Sequence, residues 1–235
     1  DRDLGALTGT RQAVYTGRIK LLDDASVGAT GVNDRLDLKG AINGAGKALT
    51  IDGSGTVVLA GGLSNARSIE QRATSTIDMG SDQTVETMSD QVYKGLVKGT
   101  NVHLTSSGGS IKATSGRNDF QGRVTVTAQD VELQDKNALE VAGSVSGKLV
   151  TYSQALTLDK TTVGTQGTPG TAEFNVLNVA QGGGPVTQTG EVTVIGTTTI
   201  NAAGQKVTLA NQGNDFERRV TVTAQDVELQ DKNAL

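Results

Sequence analysis

The sequence predicts an all-β chain that folds as a right-handed parallel β-helix, a β-solenoid with about 19–20 residues in each turn. Three observations lead to this prediction. One segment occurs twice, short apolar–polar alternations recur between small polar residues, and no stretch has the spacing of an amphipathic helix.

The duplicated segment is the strongest of these signals. Residues 118–139 read NDFQGRVTVTAQDVELQDKNAL and residues 214–235 read NDFERRVTVTAQDVELQDKNAL, an offset of 96 residues (214 − 118). The copies differ at two positions, Gln121/Glu217 and Gly122/Arg218. Self-similarity at a fixed distance is typical of repeat architectures, and this offset corresponds to roughly five units of about 19 residues.

Each copy of the segment predicts three short strands separated by two polar corners. Apolar and polar residues alternate over residues 124–127, 131–134 and 139–141. Because successive side chains point to opposite faces of a strand, Val126 and Leu133 are predicted to point inward. Strands this short bury little surface alone, so we expect each turn to stack on the next and to pair in parallel at about 4.8 Å.

Weaker versions of this pattern extend over most of the chain. Apolar alternations followed by Gly, Asn, Asp or Ser occur at residues 49–51, 56–59, 102–104, 156–158, 192–194 and 207–209. We therefore divide the chain into weakly patterned N-terminal turns, residues 1–41, and a β-helical repeat region, residues 42–235, that contains both copies.

Composition restricts the core and the classes of ligand. The 235 residues include 31 Gly, with 3% aromatic against 35% hydrophobic residues, which predicts a small aliphatic core. A net charge of −4 and a pI of about 5.1 offer no basic surface for a phosphate backbone, so nucleic acid is not an expected partner. No run of 18 apolar residues would span a bilayer.

The chain has no Cys and one His, His103, which leaves no thiolate and no set of imidazoles for a metal site or a catalytic triad. Alternation places His103 on an outer face without a partner near in sequence, so we expect no catalytic role for it. The glycine runs at residues 108–110 and 182–185 lack the Asp of calcium-binding β-rolls. We predict no metal ion and no cofactor.

Polysaccharide lyases and hydrolases on parallel β-helices need clustered charged side chains on one strand face. The candidate carboxylate pairs are Asp23–Asp24, Asp34 with Asp37, and Asp78 with Asp82. The first two carboxylates would point to opposite sides of a strand, and the other pairs lie in stretches typical of corners. We therefore predict that the chain is not an enzyme and has no catalytic residue, with a β-helix lyase or hydrolase as the alternative.

Polar ladders are predicted on the outside of the solenoid. Thr pairs at 125/127, 197/199 and 221/223 resemble the Thr-x-Thr arrays by which some β-solenoids bind ice, although Glu132, Lys148 and Gln154 interrupt other turns. A Thr-array surface protein is a second alternative, and Thr is also a good strand former. Asn137 and Asn233, at equivalent corners, are predicted to belong to a structural amide ladder.

Several strings resemble the repeat region of large bacterial exoproteins of the filamentous-haemagglutinin type. They are GNDF at 213–216 with VTV, DVEL and DKNAL after it, IDGSGTVVLAG at 51–61, and VTQTGEVTV at 186–194. The resemblance covers most of residues 42–235 and implies a parallel β-helix. It also implies a secreted or surface-attached stalk that adheres to host or bacterial surface molecules, glycan or protein, and that is exported with an outer-membrane partner by two-partner secretion or as an autotransporter.

The ends of the sequence suggest an excised piece. It opens with Asp1-Arg2-Asp3, and the second copy stops at Leu235 in the middle of a predicted strand, with Val227, Leu229 and Leu235 expected to point inward. An uncovered turn exposes unpaired N–H and C=O groups, so we expect weak end-to-end self-association.

Overall fold

A computed structural model describes residues 7–177 and 183–233. The chain divides into two compact units, Asp1–Gln121 (unit 1) and Gly122–Leu235 (unit 2). All regular structure in the described residues is β-strand, with no helix, and the strands stack in parallel. Counted over both units, the solenoid has about 10 turns, which confirms the predicted fold class.

Unit 1 is built from short strands that alternate with one- to five-residue corners. Its strands are β1 (Leu7–Gly9), β2 (Gln12–Tyr15), β3 (Ile19–Lys20), β4 (Ala25–Ala29), β5 (Arg35–Leu38), β6 (Ile42–Asn43), β7 (Ala48–Gly53), β8 (Thr56–Leu59), β9 (Leu63–Ala66), β10 (Ser68–Gln71), β11 (Thr76–Ser81), β12 (Thr84–Thr87), β13 (Gln91–Tyr93), β14 (Leu96–Ser106) and β15 (Ile111–Ala113). The boundary between the units falls within β16 (Asp119–Ala128).

Unit 1 has three strands in each turn. Each strand pairs in parallel with its equivalent one turn later, so that β1, β4, β7, β10, β13 and β15 form one column. A second column contains β2, β5, β8, β11 and the start of β14, and a third contains β3, β6, β9, β12 and the rest of β14. Parallel stacking satisfies the backbone groups of every inner turn.

Unit 2 continues from β16 with longer strands. These are β17 (Val131–Gln134), β18 (Ala138–Val145), β19 (Lys148–Ser153), β20 (Ala155–Val163), β21 (Thr171–Val176), β22 (Val186–Gln188), β23 (Val192–Val194), β24 (Thr197–Leu209), β25 (Asp215–Phe216) and β26 (Val220–Leu229). All of the strand pairs within unit 2 that the structure describes are parallel.

The number of residues in a turn varies more widely than the predicted range of 19–20. Val124 pairs with Val141, 17 residues later (141 − 124), whereas Leu156 pairs with Val186, 30 residues later (186 − 156). The extra residues lie in the connections before and after β21. Parallel pairing fixes the strands and leaves the corners free to differ in length.

The long strands pass from one face of the solenoid to the next through a single left-handed residue. Asn101 in β14, Gly122 in β16, Gly143 in β18, Lys160 in β20 and Gly204 in β24 all have positive φ. Such a residue redirects the chain within a strand and acts as a bulge.

The two copies of the duplicated segment lie on different faces of unit 2. Val124 pairs with Val141 in one column, whereas Val220 pairs with Thr198 in the column that begins at β17. The second copy is therefore displaced by one face. The sequence suggested that the offset of 96 residues equals a whole number of turns. It does not, because the turns differ in length.

The interior is aliphatic, as predicted. Val126 and Leu133 are fully buried, and the inner positions are mostly Val, Leu and Ile. Val227 departs from its prediction, since its exposed fraction is 51%, and Leu229 is only half-buried. Among the described residues only β24 pairs with β26. Leu235 lies outside the described residues.

Candidate functional site

The carboxylates Asp23 and Asp24 stabilise a corner of unit 1. Asp24 Oδ1 accepts the Ala48 N–H at 2.9 Å, and Asp24 pairs with Arg67 at 2.5 Å. The hydrogen bond from Ala48, with the nearby Arg67 charge, lowers the pKa of Asp24. Asp23 Oδ1 accepts the Asp24 N–H at 2.9 Å. Both residues line a groove of about 390 Å³, and both carboxylates are engaged in capping.

Asp34 and Asp37 are likewise engaged separately. Asp34 accepts the N–H of Arg11 at 2.6 Å and of Gly31 at 2.8 Å, and the Thr30 hydroxyl at 2.9 Å. These hydrogen bonds, that from Arg11 first, lower the pKa of Asp34. Asp37 pairs with Arg35 at 2.6 Å.

Four Asp residues that each come directly before a strand share one role. Besides Asp24 and Asp34, Asp90 accepts the Ser110 N–H at 2.8 Å and Asp130 accepts the Lys148 N–H at 2.7 Å. Each carboxylate therefore bonds a backbone N–H that lies at the start of a strand in an adjacent turn or one residue before it. This role was not predicted from the sequence, although an Asp immediately before an apolar–polar alternation is a signal that can be read from sequence.

The third predicted pair, Asp78 and Asp82, is separated by the bend at the end of β11. Asp78 pairs with Lys98 at 3.1 Å and with Arg35 at 3.6 Å. Asp82 instead lines a groove of about 260 Å³ whose lining is Ala41, Ile42, Gly61, Gly62, Leu63, Ser64, Asp82, Gln83, Thr84 and Glu86.

Glu86 was not singled out from the sequence, yet it shares this groove with Asp82. Neither carboxylate has an ion pair or hydrogen bond within residues 7–177 and 183–233. His103 is exposed and pairs in register with Thr84, so it lies on the strand next to the groove. Within the described part of the chain, no three His, Cys, Asp or Glu side chains are grouped to hold a metal ion. Of the glycine run at 182–185, Gly182 lies outside the described residues.

Buried amides hold successive turns together. Asn214 is fully buried; its Nδ2 donates to Gln188 Oε1 at 2.9 Å and to the Leu209 carbonyl at 3.0 Å, and its Oδ1 accepts the Val192 N–H at 3.0 Å. Gln71 and Gln91 are buried in unit 1 and donate to main-chain carbonyls. These groups satisfy polar atoms that the short corners would otherwise leave buried and unpaired.

The predicted amide ladder forms at other residues. Asn233 Nδ2 donates to Asp215 Oδ1 at 3.0 Å, and the Asn137 N–H donates to Asp135 Oδ1 at 3.0 Å. The ladder that runs between turns joins Asn201 Nδ2 to Asn175 Oδ1 at 2.8 Å. Consecutive turns align these two residues because Thr171–Asn175 and Thr197–Asn201 pair in register.

The predicted Thr rows are divided between two faces. Thr199 stands beside Thr221, but Thr223 stands beside Asn201, so the pairs 197/199 and 221/223 share a single Thr column and do not stack as a Thr-x-Thr array. In the first copy, Thr125 and Thr127 lie beside Ala142 and Ser144 on another face.

The Tyr152 face is the outward side of β17, β19, β21, residues 197–202 of β24 and residues 220–224 of β26. Pairing places Gln134, Tyr152, Asn175, Asn201 and Thr223 in one column across five strands. A neighbouring column on the same side contains Val150, Glu173, Thr199 and Thr221. Asn175 Nδ2 donates to the Thr151 carbonyl at 3.2 Å, which fixes the amide against the sheet.

Residues 150–223 match a family described as repeats of unknown function (DUF5649). The matched stretch begins in β19 and ends in β26, so it includes most of the Tyr152 face. The chain is a repeat-containing parallel β-solenoid. No curated protein matches it, and no solved structure matches it. Among residues 7–177 and 183–233, no helix is long and apolar enough to span a membrane.

Proposed function

We propose that the chain is a structural and adhesive segment of a secreted or surface-exposed bacterial protein. In this proposal it mediates cell adhesion or aggregation through host or bacterial surface molecules, is exported with an outer-membrane partner, and does not bind nucleic acid. The observation that carries it is the alignment of outward side chains into columns over consecutive turns, as on the Tyr152 face. A column of fixed groups is a repeated contact surface for an extended partner.

The internal chemistry of the fold supports a mechanical role. Corner carboxylates bond backbone N–H groups of adjacent turns, and ion pairs such as Arg123–Glu140, at 2.8 Å, join neighbouring strands. These polar groups stabilise the stack itself. The resemblance to filamentous-haemagglutinin-type repeats, carried by the strings at 51–61, 186–194 and 213–235, adds the adhesive role.

Attachment of cells to beads coated with the full chain tests the adhesive function. We expect epithelial cells or bacteria to attach in greater number than to beads coated with an unrelated acidic protein. The same chain unfolded by heat before coating is the control. Equal attachment to all three surfaces would contradict an adhesive role.

We further propose that the chain is not an enzyme. The sequence-derived carboxylate pairs are engaged in capping or ion pairs, apart from Asp82 in the groove of unit 1. Incubation with pectin, alginate and glycosaminoglycans should release no reducing or unsaturated ends. Release that disappears in Glu86→Gln or Asp82→Asn would instead establish the lyase or hydrolase alternative.

A further inference from the structure

The Tyr152 face combines an aromatic ring with a fixed row of amides. Tyr152 is half-buried, and Asn175 and Asn201 follow it on the next two strands, joined by the 2.8 Å amide hydrogen bond. Strands in a sheet are about 4.8 Å apart, so the column from Tyr152 to Thr223 spans roughly 14 Å. The side chains in the column are therefore spaced regularly, one strand spacing apart.

Several polar atoms on this face are left without a partner. Within the described residues, no hydrogen bond is made by the Tyr152 hydroxyl, by Asn201 Oδ1, or by the hydroxyls of Thr199, Thr221 and Thr223. Asn201, Thr221 and Thr223 are also exposed. These atoms offer both donors and acceptors to a ligand that lies across the strands.

The electrostatic character of the column favours a neutral ligand. Tyr152, Asn175, Asn201 and Thr223 carry no charge at neutral pH. In the neighbouring column, Glu173 is paired with Lys148 at 3.3 Å, and Glu132 lies beside Val150 at the β17 end of the face. The exposed cations Arg218 and Arg219 lie near Thr197. Thr197 is four residues from Asn201 along β24, a distance of about 13 Å at 3.3 Å per residue.

We propose that the Tyr152 face binds a neutral β-1,4-linked polysaccharide that lies along the Tyr152–Asn175–Asn201–Thr223 column. One sugar unit of an extended β-1,4-linked chain has nearly the length of one strand spacing, so successive units meet successive turns. The sugar ring places its C–H face on Tyr152, and its hydroxyl groups bond the amide and Thr side chains. This inference rests on the proposed adhesive function and names the ligand class of that surface.

Calorimetric titration of the full chain with cellohexaose and with the hexamer of N-acetylglucosamine tests the proposal. We expect saturable binding of at least one hexasaccharide. Tyr152→Ala should weaken it about tenfold, the factor that 1.4 kcal/mol represents, because the stacking surface is lost. Asn201→Ala, at an exposed position, should weaken it severalfold, and Tyr152→Phe should retain most of the affinity.

Thr127→Ala is the matched control, because Thr127 is exposed on another face of unit 2. Its affinity should equal that of the unaltered chain, and circular dichroism should show all variants to be folded. Absence of saturable binding to both hexasaccharides would overturn the proposal, as would equal affinities for Tyr152→Ala, Asn201→Ala and Thr127→Ala. Tighter binding of heparin that is lost in high salt would also overturn it, in favour of an anionic ligand at the arginines.

The cell-attachment assay separates this inference from the function on which it rests. If coated beads bind cells but neither hexasaccharide binds, the adhesive function stands and the polysaccharide assignment fails. If a hexasaccharide binds through Tyr152 but the beads bind no cells, the assignment stands and adhesion fails.

Discussion

Gly122 and Arg218 hold equivalent positions in the two copies of the duplicated segment but differ in backbone conformation. Gly122 lies inside β16 with φ of 70°, whereas Arg218 lies between β25 and β26 and is not in the left-handed region. A left-handed conformation costs a residue with a Cβ roughly 1–2 kcal/mol. The position at which the copies differ is therefore a position at which their chain paths differ.

Exchange of these two residues should have unequal effects. Gly122→Arg forces a side chain into the left-handed region and should lower the free energy of unfolding by about 1–2 kcal/mol. Arg218→Gly adds only chain flexibility and should cost less than about 1 kcal/mol. Urea denaturation compares the two variants, and equal losses would show that φ at residue 122 does not matter.

The alternation in β16 predicts that a charge introduced at two neighbouring positions changes stability by very different amounts. Val126 is fully buried and Thr127 is exposed. Val126→Asp buries an unpaired carboxylate and should cost several kcal/mol, whereas Thr127→Asp should change stability by less than about 0.5 kcal/mol. Thermal unfolding followed by circular dichroism measures the difference. Similar melting temperatures would mean that the inward and outward residues of β16 are assigned wrongly.

Asn214 should contribute strongly to stability through its buried hydrogen bonds. Asn214→Leu leaves the Leu209 carbonyl and the Val192 N–H without their side-chain partner in the interior, at about 1–3 kcal/mol for each group left unsatisfied. Gln212→Ala, in the same corner but exposed, is the control and should be nearly neutral. An Asn214→Leu variant as stable as this control would argue against the bridging role.

Acid should destabilise unit 1 through its corner carboxylates. Hydrogen bonding lowers the pKa of Asp34 and Asp24 from the ordinary value of 3.8, so their contribution to stability is present above about pH 4. It is lost as the pH falls through the lowered pKa. Asp34→Asn should therefore lower the melting temperature at pH 7 and flatten its decline toward pH 2.

Asp82→Asn is the control for this pH series. The Asp82 carboxylate has no hydrogen bond or ion pair in the described part of the chain, and Asn tolerates the left-handed backbone at this position. Its melting temperature at pH 7 should match that of the unaltered chain. A series in which Asp34→Asn and Asp82→Asn decline equally with acid would contradict the capping role.

The side of β26 that pairs with no described strand should permit weak self-association. Its backbone groups lack a second strand among the described residues, and the exposed fraction of the Val227 side chain is 51%. Size exclusion with light scattering should show a mass that rises with concentration and that falls again in Val227→Lys. A strictly monomeric mass over the whole concentration range would contradict this expectation.

The sequence alone determined the type and inner face of strands with a clear apolar–polar alternation, such as β16 and β17, because the period of two in a strand is a local property. Val126 and Leu133 point inward as the alternation requires. The neighbours of each strand were decided only by the tertiary structure, since they depend on how many residues each corner inserts. Asn175 follows Tyr152 by 23 residues (175 − 152) and Asn201 follows Asn175 by 26 (201 − 175), so a uniform turn of 19–20 residues could not align them. The same holds for Asp24 and Ala48, 24 residues apart (48 − 24), whose hydrogen bond exists only because two turns of different composition stack in register.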